Sequence, residues 1–249
     1  MTALLILLTP VLLLAVVALF AFVGCGFSEP CAPPTPAVET TDPGTSTLSA
    51  TVSNLCGGEL FVATVQWGGP TQSPSLVTDS GAALNPAPEV NGGNAFDWNG
   101  MKIQVFTLVN SSQNSSVKIT AILSAPSPDT WSLSIWPYPT STPSLYGAVN
   151  NQNVTGTNIA APAINVMNKG DAVYAVAYAA DAGAITGTFP GNNTLSPGPG
   201  FTTASTSVPD PLLESSVAAA SGPVTATAIN ATGIGNWKAF IVAVAVKLA

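Results

Sequence analysis

Most of the chain after residue 46 alternates apolar with polar or small side chains at a period of two, the pattern of half-buried β-strands. The clearest cases are residues 47–53, 60–67 and 101–109. Residues 116–124 follow the last of these after a short polar stretch, so we expect these two strands to form a hairpin.

Further strand candidates follow the same pattern at residues 76–78, 133–135, 158–166, 172–180, 215–220, 224–229 and 238–247. We expect Pro137 and Pro139 to end the strand around Leu133 and Ile135, and the aromatic side chains beside it to pack in the core. Residues 81–100 are predicted to form a long loop. About ten strands between turn signals predict an all-β, antiparallel, closed or sandwiched fold, and no helical period stands out after residue 24.

The first 24 residues contain no charged side chain, and such a run is long enough to cross a hydrocarbon core of ~30 Å. It predicts a hydrophobic signal or anchor helix. Residues 25–46 are rich in proline, which favours an extended polyproline II spacer. The predicted organisation is therefore a helix at 1–24, a spacer at 25–46 and a β domain at 47–249.

The segment Phe22-Val23-Gly24-Cys25 resembles a bacterial lipobox, in which the cysteine becomes lipid-modified. The alternatives are an uncleaved anchor helix and simple secretion. Membrane attachment through residues 1–24 or through lipidated Cys25 is the expectation, and all three alternatives place the β domain outside the cytoplasm.

The amino-acid composition argues against nucleic-acid binding and against most kinds of catalysis. Only 7% of the residues are charged, against about 25% in ordinary soluble domains. The net charge is −7, with five lysines and no arginine, so no basic patch is expected and nucleic acid is not a predicted partner. Histidine is absent, which removes the commonest general base and the commonest transition-metal ligand. A non-enzymatic protein without a bound transition metal is expected.

The chain has three cysteines, Cys25, Cys31 and Cys56. Lipidation of Cys25 would leave Cys31 and Cys56 to form a disulfide in an oxidising compartment. The alternative is three unpaired thiols.

Four segments occur in an order that resembles the bacterial jelly-roll domains of the concanavalin/laminin-G-like type: Glu59–Trp67, the 102–123 pair of strands, Lys169–Ala177 and Gly235–Lys247. The resemblance implies two curved antiparallel sheets packed face to face as a sandwich, with the final strand pairing near the first. It also implies an exported or cell-surface protein of a kind that usually has no assigned activity.

The segment Asn91–Asn99 (NGGNAFDWN) combines the side-chain types of a lectin-like carbohydrate site. Asn94, Asp97 and Asn99 supply oxygen and amide groups, and Trp98 supplies an aromatic platform. Lectin-like sites sometimes hold Ca²⁺ through oxygen ligands, but neither a metal nor another cofactor is predicted for this chain. The alternative is a purely structural turn, since Asn-Gly is a turn dipeptide and Trp98 would then pack in the core.

Two functions are compatible with these features. One is a surface module for adhesion that binds a glycan or a surface protein. The other is a structural subunit of an extracellular filament that self-associates through residues 1–24, although Leu5 stands where type IV pilins carry a glutamate.

Overall fold

The computed structural model describes residues 35–98, 101–110, 114–138, 144–153, 157–181, 195–203, 212–230 and 237–247. They all belong to one compact unit, Ala32–Ala249. The described part of the chain is all-β, as predicted, with one 3₁₀ turn. It contains no helix long and apolar enough to span a membrane. The helix predicted at 1–24 lies outside the described residues.

The strands are, in chain order, β1 (Ala37–Thr41), β2 (Thr47–Ser53), β3 (Leu60–Gly68), β4 (Pro74–Thr78), β5 (Ala83–Pro86), β6 (Phe96–Trp98), β7 (Met101–Val109), β8 (Ser116–Leu123), β9 (Trp131–Tyr138), β10 (Ser144–Asn153), β11 (Asn158–Ala160), β12 (Ile164–Val166), β13 (Ala172–Asp181), β14 (Leu195–Pro197), β15 (Thr202–Thr203), β16 (Leu212–Val217), β17 (Gly222–Val224), β18 (Thr227–Asn230) and β19 (Trp237–Lys247). The 3₁₀ turn covers Asn91–Gly93.

Nine strands form one antiparallel sheet in the order β1-β9-β3-β7-β5-β4-β8-β2, with β6 also paired to β7. The sheet curls until its ends approach, and the Thr35 amide donates to the Ser53 carbonyl oxygen at 3.3 Å. This contact joins the chain beside β1 to the end of β2. The sheet is therefore nearly a closed barrel, an arrangement that leaves little exposed strand edge.

A second antiparallel sheet has the order β10-β19-β13-β16-β15. A three-stranded sheet (β11-β18-β14) and a two-stranded sheet (β12-β17) complete the described strands.

Three apolar clusters define the layers of the domain. The barrel core lies inside the curled sheet and includes Phe61, Trp67 and Trp131. The inter-sheet layer lies between the barrel wall and the five-stranded sheet and includes Val62 and Phe240. The outer layer lies between the five-stranded sheet and the small sheets, and it contains Ile159, Ile164 and Ala228 among others.

Strand β3 is buried along its whole length, which corrects the prediction that it is half-buried. Phe61 and Val65 point into the barrel core, whereas Leu60 and Val62 point into the inter-sheet layer. Strand β19 is likewise buried on both faces, with Val242 in the inter-sheet layer and the smaller Ala243 in the outer layer. The alternation in β19 is therefore between large and small apolar side chains, as a central strand requires.

The predicted hairpin of residues 101–109 and 116–124 does not form. Both strands exist, as β7 and β8, but β7 pairs with β3, β5 and β6, and β8 pairs with β2 and β4. Proximity in sequence favoured the hairpin, but both faces of β7 carry apolar residues and are covered only when it lies centrally in the sheet.

Two segments predicted to be irregular contain strands. Residues 25–46 were expected to be a spacer, yet β1 lies within them, because Val38 is buried in the inter-sheet layer when β1 pairs with β9. Residues 81–100 were expected to be a loop, yet they contain β5 and β6.

Prolines also divide the strands differently from the prediction. Residues 158–166 form two short strands on either side of Pro162. Pro137 instead lies within β9. The pairing of β9 with β1 extends only as far as Ile135, which lies opposite Ala37, so Pro137 has no partner residue in β1 and no hydrogen bond to β1 is lost. Strand β19 pairs with β10 and β13, not near β1, so the strand pairing that the jelly-roll resemblance implied is not present.

Candidate functional site

The predicted carbohydrate segment lies where the chain stops pairing with strand β7 and then pairs with it again. Asn85 and Pro86 pair with β7, the Ala87 amide donates to the Val105 carbonyl oxygen at 2.9 Å, and pairing resumes with Phe96 opposite Ile103. Residues 88–95 therefore lie opposite a single residue of β7, Gln104. We call these residues the insertion loop. It is a much-enlarged bulge, a feature that commonly redirects side chains at functional sites.

Side-chain hydrogen bonds fix the insertion loop. The Gln104 amide nitrogen (Nε2) donates to the Gly93 carbonyl oxygen at 2.6 Å. The Asn91 amide nitrogen (Nδ2) donates to the carbonyl oxygens of Asn94, at 3.3 Å, and Ala95, at 3.0 Å. The Asn94 amide donates back to the Asn91 carbonyl oxygen at 3.3 Å. The loop therefore has a defined backbone conformation, held by its own asparagine side chains and by Gln104 of β7.

The sequence Asn-Gly-Gly is required by the backbone of this loop. Asn91, Gly92 and Gly93 all have left-handed conformations, with φ of 52°, 63° and 80°. Asparagine and glycine adopt this region at the lowest cost. These backbone conformations therefore account for the residue types at all three positions.

Apolar side chains at both ends anchor the loop, and polar ones near its tip are exposed. Val90 is buried in the inter-sheet layer. Phe96 packs against the same layer, and its ring centroid lies 5.8 Å from that of Phe240. Glu89, Asn94 and Asp97 are exposed. The arrangement presents amide and carboxylate groups on a rigid support.

The structure brings together two of the predicted site residues in the described region. Asn94 and Asp97 are both exposed on or beside the loop, and Asp97 lies opposite Lys102 in the β6–β7 pairing. The backbone of Trp98 pairs with Met101. Asn99 lies outside the described residues. Within the described ranges, no three acidic or cysteine side chains are grouped to hold a metal ion.

Cys56 is disulfide-bonded, and a buried carboxylate organises the turn that carries it. The Glu59 carboxylate accepts hydrogen bonds from the backbone amides of Cys56 and Gly57 and, at 2.8 Å, from the Asn110 side chain. Because Cys25 and Cys31 lie outside the described residues, the Cys31–Cys56 pairing and the lipidation of Cys25 stay predictions.

The inter-sheet layer contains a polar cluster that the sequence analysis did not find. Thr64 and Ser134 are paired on β3 and β9 and point into this layer, where the phenols of Tyr138 and Tyr174 are also buried. Burial raises the pKa of both phenols above its ordinary value, and each pKa is raised further by a neighbouring tyrosine. Both phenols are therefore neutral. The sequence signal was a threonine and a serine within mainly apolar strands, but the sequence did not show that the two residues face each other.

Glu214 is a second buried polar group that the sequence analysis missed. It lies on the same face of β16 as Leu212, toward the outer layer, and is fully buried. Burial raises the pKa of its carboxyl group to about 8, and the backbone amides of Gly198 and Thr227 only partly offset this effect. Neither carboxyl oxygen has a partner at ordinary hydrogen-bond geometry among the described residues. The side chain is therefore protonated at neutral pH.

No family model matches this chain, and no curated protein matches it. The site must therefore be interpreted from its own geometry.

Proposed function

We propose that this protein is a non-enzymatic, membrane-anchored surface domain that binds a glycan or a surface protein through the insertion loop. The observation that carries the proposal is that residues 88–95 leave a strand edge opposite Gln104 and are fixed by side-chain hydrogen bonds. Asn94 is exposed on this loop, and Asp97 is exposed beside it on β6. Ordering a surface loop costs about 1–2 kcal/mol per residue in backbone entropy. Core packing uses only the apolar ends of the loop, whereas its polar side chains are exposed to solvent.

Neutral amides and a carboxylate suit a hydroxyl-rich ligand. Asparagine offers both a donor and an acceptor, and aspartate accepts two hydrogen bonds, so together they match the vicinal hydroxyls of a sugar. Lys102 lies opposite Asp97 and its ammonium group donates to the Pro70 carbonyl oxygen at 2.9 Å, which holds this cation beside the loop.

The disulfide at Cys56 supports a location outside the cytoplasm, because disulfides persist mainly in oxidising compartments. The proposal places the β domain on the outer side of a membrane, attached through a helix at residues 1–24 or through a lipid on Cys25. The intact mass of the membrane-extracted protein tests the attachment. A chain that starts at Cys25 with added lipid, or one that starts at Met1, supports anchoring, whereas an unmodified chain starting elsewhere contradicts it.

We also propose that the fold is a variant of the jelly-roll sandwich. Support comes from antiparallel pairing throughout and from neighbours that are distant in sequence, such as β2 beside β8 and β3 beside β9. Such long-range pairing is typical of Greek-key connections.

Binding of the purified protein to a glycan array, with Ca²⁺ and with a chelator, tests the carbohydrate form of the proposal. The matched variants are Asp97→Ala and Asp79→Ala, which each remove one exposed carboxylate, the first beside the insertion loop and the second in the β4–β5 turn. We expect Asp97→Ala to lose binding and Asp79→Ala to keep it. No binding by the wild-type protein under either condition would remove the carbohydrate form, and equal loss in both variants would remove the loop as the site.

A further inference from the structure

Four hydroxyl groups in the inter-sheet layer are fully enclosed by the protein. They belong to Thr64 on β3, Ser134 and Tyr138 on β9, and Tyr174 on β13. None has a hydrogen-bond partner of ordinary geometry within the described part of the chain. They come from both walls of the layer, since β3 and β9 belong to the barrel and β13 to the five-stranded sheet.

Strand pairing and ring contacts connect the four side chains. Thr64 and Ser134 are directly opposed in the β3–β9 pairing, so their side chains leave the sheet on the same face. Trp136, two residues from both Ser134 and Tyr138, has its ring centroid 5.0 Å from that of Tyr174 and 5.9 Å from that of Tyr138. The Thr64 hydroxyl faces the Tyr174 phenol closely enough to oppose the rise in its pKa, although the two oxygens do not form a hydrogen bond of ordinary geometry.

Four unsatisfied hydroxyls in one place are too costly for a stable core. Each buried hydroxyl without a partner costs about 1–3 kcal/mol, and folded domains have only about 5–15 kcal/mol of net stability. Native proteins satisfy such groups with protein atoms or with ordered water, and buried water typically makes about three hydrogen bonds. The neighbouring pair Gln66 and Ser132 shows the first solution, because the Ser132 hydroxyl donates to the Gln66 side-chain oxygen at 3.3 Å.

We infer that the hydroxyls of Thr64, Ser134, Tyr138 and Tyr174 form a binding site for ordered water that bridges the barrel and the five-stranded sheet. Water is the ligand of the right chemistry because hydroxyls both donate and accept, no described charged side chain belongs to the cluster, and the site is closed to solvent. The bound water links β13 to β3 and β9, and it thereby contributes to the layer that also holds Phe96 beneath the insertion loop.

A high-resolution crystal structure of the protein tests this site directly. We expect water density within about 2.7–3.2 Å of the Tyr174 phenol oxygen and of the Thr64 or Ser134 hydroxyl. Absence of such density overturns the inference.

Urea denaturation of near-isosteric variants gives a second, independent test, in which the direction of the change in midpoint distinguishes the two outcomes. Tyr174→Phe and Thr64→Val should each lower the urea midpoint, because each removes a hydrogen-bond partner of bound water. If the hydroxyls are unsatisfied in solution, the same changes should raise the midpoint or leave it unchanged, and that result overturns the inference. Ser134→Ala is a smaller change that keeps the test usable if a larger variant does not fold. Thr51→Val is the matched control, because Thr51 is exposed on β2 and its hydroxyl is in solvent. The change in midpoint of this variant measures the effect of a threonine-to-valine substitution that removes no buried hydroxyl.

Discussion

The indole ring of Trp136 lies 5.0 Å from the phenol ring of Tyr174, centroid to centroid, with the ring planes inclined at 51°. This tilted contact joins β9 of the barrel to β13 of the five-stranded sheet across the inter-sheet layer. Aromatic pairs of this geometry contribute about 0.5–1.5 kcal/mol beyond the apolar area that they bury. Trp136 is therefore a principal contact between the two halves of the domain.

Replacing Trp136 with alanine should destabilise the domain by about 3 kcal/mol, since the change removes both this ring contact and packing against Tyr138. Urea denaturation followed by far-UV circular dichroism measures the effect. Val109→Ala is the control, because Val109 is 50% exposed and should change the free energy of unfolding by less than about 0.5 kcal/mol. Equal effects of the two changes would contradict the proposed role of Trp136.

Replacing Gln104 with alanine should loosen the insertion loop while leaving the fold intact. The variant loses the hydrogen bond to the Gly93 carbonyl oxygen, which we expect to cost about 1 kcal/mol. Hydrogen exchange measured by mass spectrometry should show faster exchange in peptides covering residues 88–95. Gln72→Ala removes a comparable hydrogen bond, to the Pro126 carbonyl oxygen, and should leave exchange in the loop unchanged. Unchanged exchange in Gln104→Ala would mean that the asparagine hydrogen bonds alone hold the loop.

Replacing Glu214 with glutamine should alter the pH dependence of stability. The pKa of this carboxyl group is about 8 in the folded protein, against its usual value of 4.5. Between these values the unfolded chain releases the proton and the folded chain keeps it. The stabilising effect is thus complete below about pH 4.5 and falls by up to ~1.4 kcal/mol per pH unit until about pH 8.

The measurement is the free energy of unfolding of wild type and Glu214→Gln from pH 4 to pH 9. Glutamine has nearly the same shape and does not titrate, so the difference between the two curves isolates this group. We expect the variant to gain stability relative to wild type as pH rises. Parallel curves would show that Glu214 ionises normally in the folded state.

Replacing Glu59 with alanine should cost about 3 kcal/mol, because it leaves the buried Asn110 amide and the backbone amides of Cys56 and Gly57 without their acceptor. Thermal denaturation measures the loss. Glu39→Ala is the control, since Glu39 is an exposed carboxylate on β1 and its loss should be nearly neutral. A small effect at Glu59 would show that its hydrogen bonds are replaced by water.

The alternation of side chains determined the fold class and the bounds of several strands. Residues 47–53 and 101–109 form β2 and β7 as predicted, because a period of two is a local property of extended chain. The segment predicted to be a loop contains the turn at Asn91–Gly93, where the residue types themselves permit left-handed backbone.

Only the tertiary structure decided which strands are neighbours and which faces are buried. β7 and β8 are adjacent in sequence but lie apart in the sheet, since pairing depends on long-range burial that no local window contains. For the same reason, the meeting of Thr64 and Ser134 with Tyr174, and the burial of Glu214, were not visible in the sequence. The residue types of Asn94 and Asp97 were likewise evident from the sequence. Their positions, Asn94 in the insertion loop and Asp97 opposite Lys102, depend on how β5, β6 and β7 pair.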